Sequence, residues 1–384
     1  MPPHELTPFY PPFAELTVGT HQLALLKDGQ QAFPAMLAAI AQAKRTVCIE
    51  TYILRSDRIG TLFAGALIER AQHGVEVSLL YDAWGSSVAT SMLDRLHRAG
   101  VRTLAFHPMR FSGKRREIIA RLTRRDHKKT LTVDSIVGFT GGLNLADDYA
   151  PADQGGGDFR DTHVRIEGPA AAELEYFFLQ TWRRGGGAEI DSARYGGDGR
   201  RPDPSVQIVT SDERRRRHSI RMEYLGAIRG ARERVLITNP YFLPTIRILH
   251  EFGEAARRGV DVQIMVAGTT DVRAVLYASR SIYGMLLKAG VRMFEWRGRV
   301  LHAKTATIDG RWSTVGSSNL DYQSLRQNLE VNAIVKGREL AEALERMFAE
   351  DLTHCVEIDA ERWQRRSALN KAASWAAYLL RDWL

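Results

Sequence analysis

Two stretches of the chain set histidine and lysine at the same short spacing. One reads His127-x-Lys129-x4-Asp134-x6-Gly141-Gly142-x-Asn144, the other His302-x-Lys304-x4-Asp309-x6-Gly316-Ser317-x-Asn319. Five shared identities at about one in twenty each make a single match roughly a one-in-ten-thousand event for a chain of this length. A second copy at the equivalent place in a duplicated chain is not chance. Side chains two apart on an extended segment share a face, so each histidine works beside its lysine. Asp134-Ser135 and Asp309-Gly310 read as hairpin turns, which makes each aspartate the residue that fixes the turn and so aims the pair. Gly142 and Ser317 are small enough to let backbone approach an oxyanion. Asn144 and Asn319 can donate an amide hydrogen bond to it, or cap the following helix.

The elements that must position these residues repeat as well. In the first half a strand over 46–53, a helix over 59–73, a strand over 75–81, a helix over 88–99 and a strand over 101–106 precede the motif. In the second half the same order runs 234–242, 246–258, 260–266, 272–289 and 291–296, with Gly74, Gly100, Gly259 and Gly290 closing the helices. Alternating strands and helices predict an α/β chain with a mostly parallel sheet in each half, covered on both faces. The expected organisation is a first domain over 1–182, a Gly- and Pro-rich linker over 183–204, a second domain over 205–358 and an amphipathic helix over 359–384.

The chain has 384 residues with 44% hydrophobic and 26% charged side chains, values of an ordinary folded protein. Two cysteines leave no room for a disulfide framework or a Cys-rich zinc site. No apolar run reaches the length of a membrane span, and the first residues lack a signal pattern. The net charge of +8 is concentrated: nine Lys and Arg against two acids lie between Arg110 and Lys129. Such a block suits anionic lipid headgroups or nucleic acid, or it is a solvated loop. Arg214 to Arg217 read as a solvated helix face. The tail over 362–384 mixes Trp363, Trp375, Trp383, Leu379 and Leu380 with Arg362, Arg365, Arg366, Lys371 and Arg381. It reads as a helix lying on a membrane surface, with docking on the domain as the competing reading.

The paired motifs resemble the phospholipase D superfamily, whose signature is H-x-K-x4-D followed by G-G/S-x-N, twice in one chain. Connecting segments resemble the bacterial cardiolipin synthases of the B type, which lack N-terminal membrane spans. These segments are "AFPAMLAAIAQAKRTVCIETYI" (32–53), "YDAWGSS" (81–87), "VGFTGGLNLADDY" (137–149), "RDTHVRIEGPA" (160–170), "ITNPYFLP" (237–244), "VRMFEWRGRVLHAK" (291–304) and "TVGSSNLDYQSLRQNLEVN" (314–332). The resemblance implies two similar α-β-α sandwich domains related by a pseudo-two-fold axis, with the active site at their interface. It also implies a phosphatidyltransferase that joins phosphatidylglycerol to a second phospholipid through a phosphohistidine and releases glycerol.

On that resemblance His127 is the nucleophile and His302 the acid, then the base. Lys129, Lys304, Gly142, Asn144, Ser317 and Asn319 hold the phosphoryl oxygens. Asp134 and Asp309 complete the motifs, and Asp161 and Glu330 orient the histidines, with Asp158 the rival of Asp161. Chemistry of the residues agrees: an imidazole attacks phosphorus at neutral pH and splits one hard displacement into two. No metal and no cofactor are expected, since lysines and amides can carry the oxyanion charge. The expected partners are a phosphatidylglycerol substrate and an anionic membrane surface met by the segment 110–129 and the tail, at the cytoplasmic face of the bacterial inner membrane. Nucleic acid is the less favoured partner. Gly142 stands where the second motif has Ser317, which weakens one oxyanion contact. A phospholipase D-type hydrolase of lipid or nucleic acid is the alternative activity, and a non-enzymatic adaptor is disfavoured because neither motif lacks a key residue.

Overall fold

The computed structural model describes residues 10–107, 124–190, 195, 203–211, 219–269 and 273–379. Most of the basic block, much of the Gly-rich stretch after Glu189, Arg214 to Arg217 and the last five residues lie outside them. The chain divides into two compact units, Met1–Ile208 and Val209–Leu384.

In the first unit the elements run β1 (Ala14–Val18), β2 (His21–Lys27), α1 (Asp28–Ala41), β3 (Thr46–Thr51), α2 (Arg58–Gln72), β4 (Glu76–Asp82), α3 (Thr90–Arg98), β5 (Arg102–Phe106), β6 (Thr130–Val133), β7 (Val137–Gly141), β8 (Thr162–Glu167) and α4 (Pro169–Arg184). Its sheet has the order β1-β2-β8-β7-β6-β3-β4-β5. The second unit contains β9 (Val206–Thr210), within which the boundary falls, α5 (Ile220–Gly230), β10 (Arg234–Thr238), α6 (Ile246–Arg257), β11 (Asp261–Ala267), α7 (Arg273–Lys288), β12 (Arg292–Trp296), β13 (Thr305–Ile308), β14 (Trp312–Gly316), α8 (Tyr322–Arg326), β15 (Val331–Lys336), α9 (Arg338–Leu352), β16 (Cys355–Glu357), α10 (Ala360–Gln364) and α11 (Ala368–Leu379). Its sheet runs β16-β12-β11-β10-β13-β14-β15-β9.

Each unit is a three-layer α-β-α sandwich. Val235 and Ile237 of β10 face a core shared with α5, α6 and α7, while the intervening Leu236 faces Phe348 of α9. That alternation is the two-residue period of a strand covered on both sides. In the first unit Val47 and Ile49 pack on Phe33, Ile40, Phe63 and Leu67 of α1 and α2.

The sheets are mixed, which corrects the expectation of mostly parallel ones. Among the pairings whose register is described, β3-β4-β5 and β10-β11-β12 run in parallel. The motif strands enter as hairpins and not through crossover helices, so β6, β7 and β8, like β13, β14 and β15, add antiparallel. The helices and parallel strands read from the sequence are present within one or two residues at nearly every end; the strands that begin at Thr46 and Arg234 stop earlier, at Thr51 and Thr238.

The hairpin turns are built alike. Asp134 and Ser135 have φ of +54° and +61°, and Asp309 and Gly310 have +51° and +59°, the left-handed pair of a type I′ turn. The carboxylate of Asp134 accepts from the backbone N–H groups of Lys44, Arg45 and Thr46 at 2.9, 2.7 and 2.9 Å. Asp309 does the same for Arg232, Glu233 and Arg234 at 2.9 Å each. The motif hairpin is thereby bolted to the start of the central strand, β3 or β10.

The described part of the tail forms two helices, α10 and α11, that dock on the second unit, as the competing reading of the sequence has it. Trp363 stacks on Tyr283 of α7 with ring centroids 5.2 Å apart, and Tyr378 packs on the same core. Among the described residues no helix is long and apolar enough to cross a membrane. Asp309→Ala removes three acceptor bonds from one turn, so the second unit should lose about 1–3 kcal/mol, read as a lower urea midpoint for that unit's transition.

Candidate active site

Both His-x-Lys pairs sit in the extended run just before a strand, since β6 begins at Thr130 and β13 at Thr305. The alternation expected of a strand still holds. Lys128 turns to the opposite side from His127 and Lys129, toward Thr181 of α4, and Ala303 turns toward Phe348 of α9. Lys129 Nζ donates to the His127 carbonyl at 2.6 Å and lies 5.2 Å from the centre of the Tyr52 ring. Tyr52, just past β3, meets the His127 imidazole edge-on at 4.7 Å. In the second unit Lys304 is fully buried and its Nζ lies 2.9 Å from His302 Nδ1. An ammonium can only donate, so that contact assigns the proton of the neutral imidazole to Nε2.

Glycine-rich turns and carboxylates face each other in both units. Gly142 N–H donates to the Thr162 carbonyl at 3.1 Å and Ser317 N–H to the Val331 carbonyl at 3.0 Å, which sets Asp161 opposite Gly142 and Glu330 opposite Ser317. Both carboxylates are fully buried. Ser317 Oγ donates to Glu330 Oε2 at 2.5 Å. A side chain at position 142 would fall well inside contact distance of Asp161 Oδ1. The glycine there is the steric complement of a shorter acid whose carboxylate lies where the serine side chain would be.

Asn144 braces the loop after β7. Its Oδ1 accepts from Ile53 N–H at 3.0 Å and its Nδ2 donates to the Tyr149 hydroxyl at 2.7 Å. Asn319 is buried, and its Oδ1 has no hydrogen-bond partner among the described residues. Asp158 adopts a φ of +51° in the loop before Asp161.

Several residues escaped the sequence reading. His163 and Asn332 stand opposite Gly141 and Gly316, and each accepts from the loop, from Leu143 N–H at 3.4 Å and Ser318 N–H at 3.3 Å. Both lie two residues after the buried acid, a repeated spacing that was available as a signal. Burial lowers the His163 pKa to about 4 against the pull of Asp161, and the Lys129 ammonium adds to the lowering, so this imidazole stays neutral. Asp321 caps α8 by accepting from Ser324 N–H at 2.7 Å, and burial, with the Glu330 charge, raises its carboxyl to about 7. Among the described residues no three His, Cys, Asp or Glu side chains converge as a metal site would need.

At its described end the basic block leaves Arg124 exposed but turns the other cations inward. Arg125 is buried against Asp82 through Nε at 3.1 Å and through Nη2, and Lys128 is buried against Glu50 at 2.5 Å. These cations neutralise internal carboxylates. A local excess of +7 therefore overstates what the segment offers a partner.

The family described as cardiolipin synthase, PLD-like domain, matches residues 36–182 and 224–352. A cardiolipin synthase of Geobacillus kaustophilus is 33% identical over 94% of this chain and 72% of its own length. Cardiolipin synthase B of Salmonella typhimurium is 34% identical over 93% of the chain and 87% of its own. The crystal structure of a phosphatidylserine synthase from Haemophilus influenzae superposes with a TM-score of 0.73 at 13% identity, covering 96% of this chain and 97% of that one, and shows the same fold. The chain belongs to the cardiolipin synthase family of phospholipase D-like proteins.

Two outcomes follow from this geometry. Gly142→Ala should destabilise the first unit, by about 1–3 kcal/mol for an overpacked site, and Asp161→Ala in the same chain should recover part of the loss, measured as a double-mutant cycle in urea. The folded Asp321 holds its proton to higher pH than an unfolded aspartate at about 3.9. Its contribution is present below about pH 4 and is lost as pH rises through 7. Asp321→Asn keeps a capping oxygen and should flatten the fall in melting temperature over that window.

Proposed function

We propose that the protein is a phosphatidyltransferase that makes cardiolipin from phosphatidylglycerol and a second phospholipid. The observation that carries this is the pair of His-x-Lys motifs, each held by the same aspartate clamp and facing a buried acid, in a chain that matches cardiolipin synthases over most of its length.

His127 takes the role of nucleophile. Its imidazole nitrogen forms a bond to phosphorus while the bond to the glycerol oxygen breaks, and His302, entering this step as imidazolium, gives that oxygen its proton and is left as the neutral imidazole. The hydroxyl of the second lipid then gives its proton to His302 and attacks the phosphatidyl-histidine, which frees His127 and forms the product. Lys129, Lys304 and Asn319 carry the charge on the phosphoryl oxygens, since the Ser317 hydroxyl is given to Glu330 and the Asn144 amide to Tyr149. Asp161 and Glu330, both fully buried, take the role of supporting the imidazoles. Water in place of the second lipid gives phosphatidic acid, so the transferase depends on keeping the intermediate dry. The protein acts on lipid at a membrane surface without a span among its described helices.

Purified protein incubated with phosphatidylglycerol vesicles should yield cardiolipin and glycerol, resolved by chromatography of the lipid and aqueous phases. Phosphatidic acid as the sole product would make it a hydrolase, and absence of lipid turnover would overturn the reading. His127→Ala should lower turnover by at least about a thousandfold, as loss of a covalent nucleophile does.

A further inference from the structure

Immediately beneath His127 lies a buried layer of five ionisable side chains: Glu50 on β3, Asp82 at the end of β4, and Arg125, Asp126 and Lys128 flanking the histidine. None is more than 7% exposed. Lys128 Nζ meets Glu50 Oε1 at 2.5 Å, Thr181 Oγ1 at 2.6 Å and Asp126 Oδ1 at 3.5 Å. Asp82 accepts from Arg125 Nε at 3.1 Å, from Asp126 N–H at 2.9 Å, and from Trp84 and Gly85 N–H groups at 2.9 and 3.2 Å. The backbone on both sides of His127 is thus tied to the carboxyl ends of two parallel strands.

The second unit shows that the fold does not require charge there. The aspartate clamps equate Thr46 with Arg234, and strand register then equates Glu76 with Asp261. Counting along the strands and motifs, Glu50, Asp82, Asp126 and Lys128 correspond to Thr238, Ala267, Leu301 and Ala303. The last three belong to an apolar cluster with Met265, Trp296 and Phe348. Desolvating an ion pair costs several kcal/mol, and well-packed apolar residues do the same structural work as well or better. A charged layer under one motif and an apolar layer under its twin means the charges serve the motif above them.

We propose that the Glu50–Asp82–Arg125–Asp126–Lys128 layer is a positioning element for His127, holding the imidazole in attack geometry by fixing residues 125–129 from below. It rests on the proposed reaction, in which His127 must meet phosphorus in line. Displacement of a reacting group by about 1 Å can lower a rate on the order of a hundredfold.

The test compares Lys128→Met, Glu50→Gln/Lys128→Met and Lys128→Arg with the unaltered protein, using phosphatidylglycerol vesicles, thermal unfolding and NMR of 13C-labelled histidine. Glu50→Gln/Lys128→Met removes both charges and should melt close to the unaltered protein. Its kcat should fall by about ten- to a hundredfold with KM within about twofold, and Lys128→Arg should restore most of the rate. The His127 Cε1 signal should shift or broaden in both Met variants while that of His302 stays in place. A folded double variant with normal kcat, a loss of rate that simply follows loss of melting temperature, or an undisturbed His127 signal would overturn the proposal. Should Lys128→Met fail to fold, the double variant and Lys128→Arg decide it. Lack of turnover by the unaltered protein would count against the reaction, while the NMR comparison would still judge the layer.

Discussion

The carboxylate of the motif aspartate, accepting three consecutive backbone N–H groups from the head of the central strand, is the constraint on which each site depends. It holds a turn whose two central residues have positive φ, a conformation that Asp, Asn and Gly tolerate best. With that turn fixed, strand register decides everything downstream: which side of the strand His and Lys leave from, where the glycine turn falls, and which acid stands opposite it. The lysine and histidine need no further device to share a face.

Much of this was legible because it repeats. Hydrophobic periodicity and the punctuating glycines gave the helices and the three parallel strands of each half, and the aspartate's structural role followed from its place in a two-strand turn. The antiparallel half of each sheet was legible only in part. The turns at Asp134 and Asp309 marked β6-β7 and β13-β14 as hairpins, but nothing in the sequence joined those hairpins to β3 and β10, and β1 and β2 carry no chemistry. Asp161 and Glu330 could be picked out because each opens a strand-like run; that they face Gly142 and Ser317 needed the register. The fate of the basic block was hidden, because local charge counts cannot reveal that Arg125 and Lys128 have buried carboxylate partners 43 and 78 residues away. Trp363 was equally ambiguous, its partner Tyr283 lying on a distant helix.

The two halves share a scaffold yet differ in what surrounds the imidazole. His302 touches a buried lysine through Nδ1, and the same unit holds Asp321, whose carboxyl pKa is raised by burial. His127 has an aromatic edge, Tyr52, against its ring and a neutral buried His163 nearby in its unit. The proposed reaction asks unequal tasks of the two rings, one bonding to phosphorus and the other trading a proton, and unequal surroundings suit that, since the environment of a titratable group sets its role.

The pairing of Gly142 with Asp161, and of Ser317 with Glu330, has a consequence for how such a duplicated gene can change. Each small residue is cut to the length of its acid: a serine grafted into the first turn would collide with Asp161, and a glycine grafted into the second would strip Glu330 of its hydroxyl donor. Recombination between the halves must therefore carry the glycine turn and the head of the following strand together. The segment from the motif histidine through that strand is the smallest inheritable cassette, and drift within it is confined to paired substitutions.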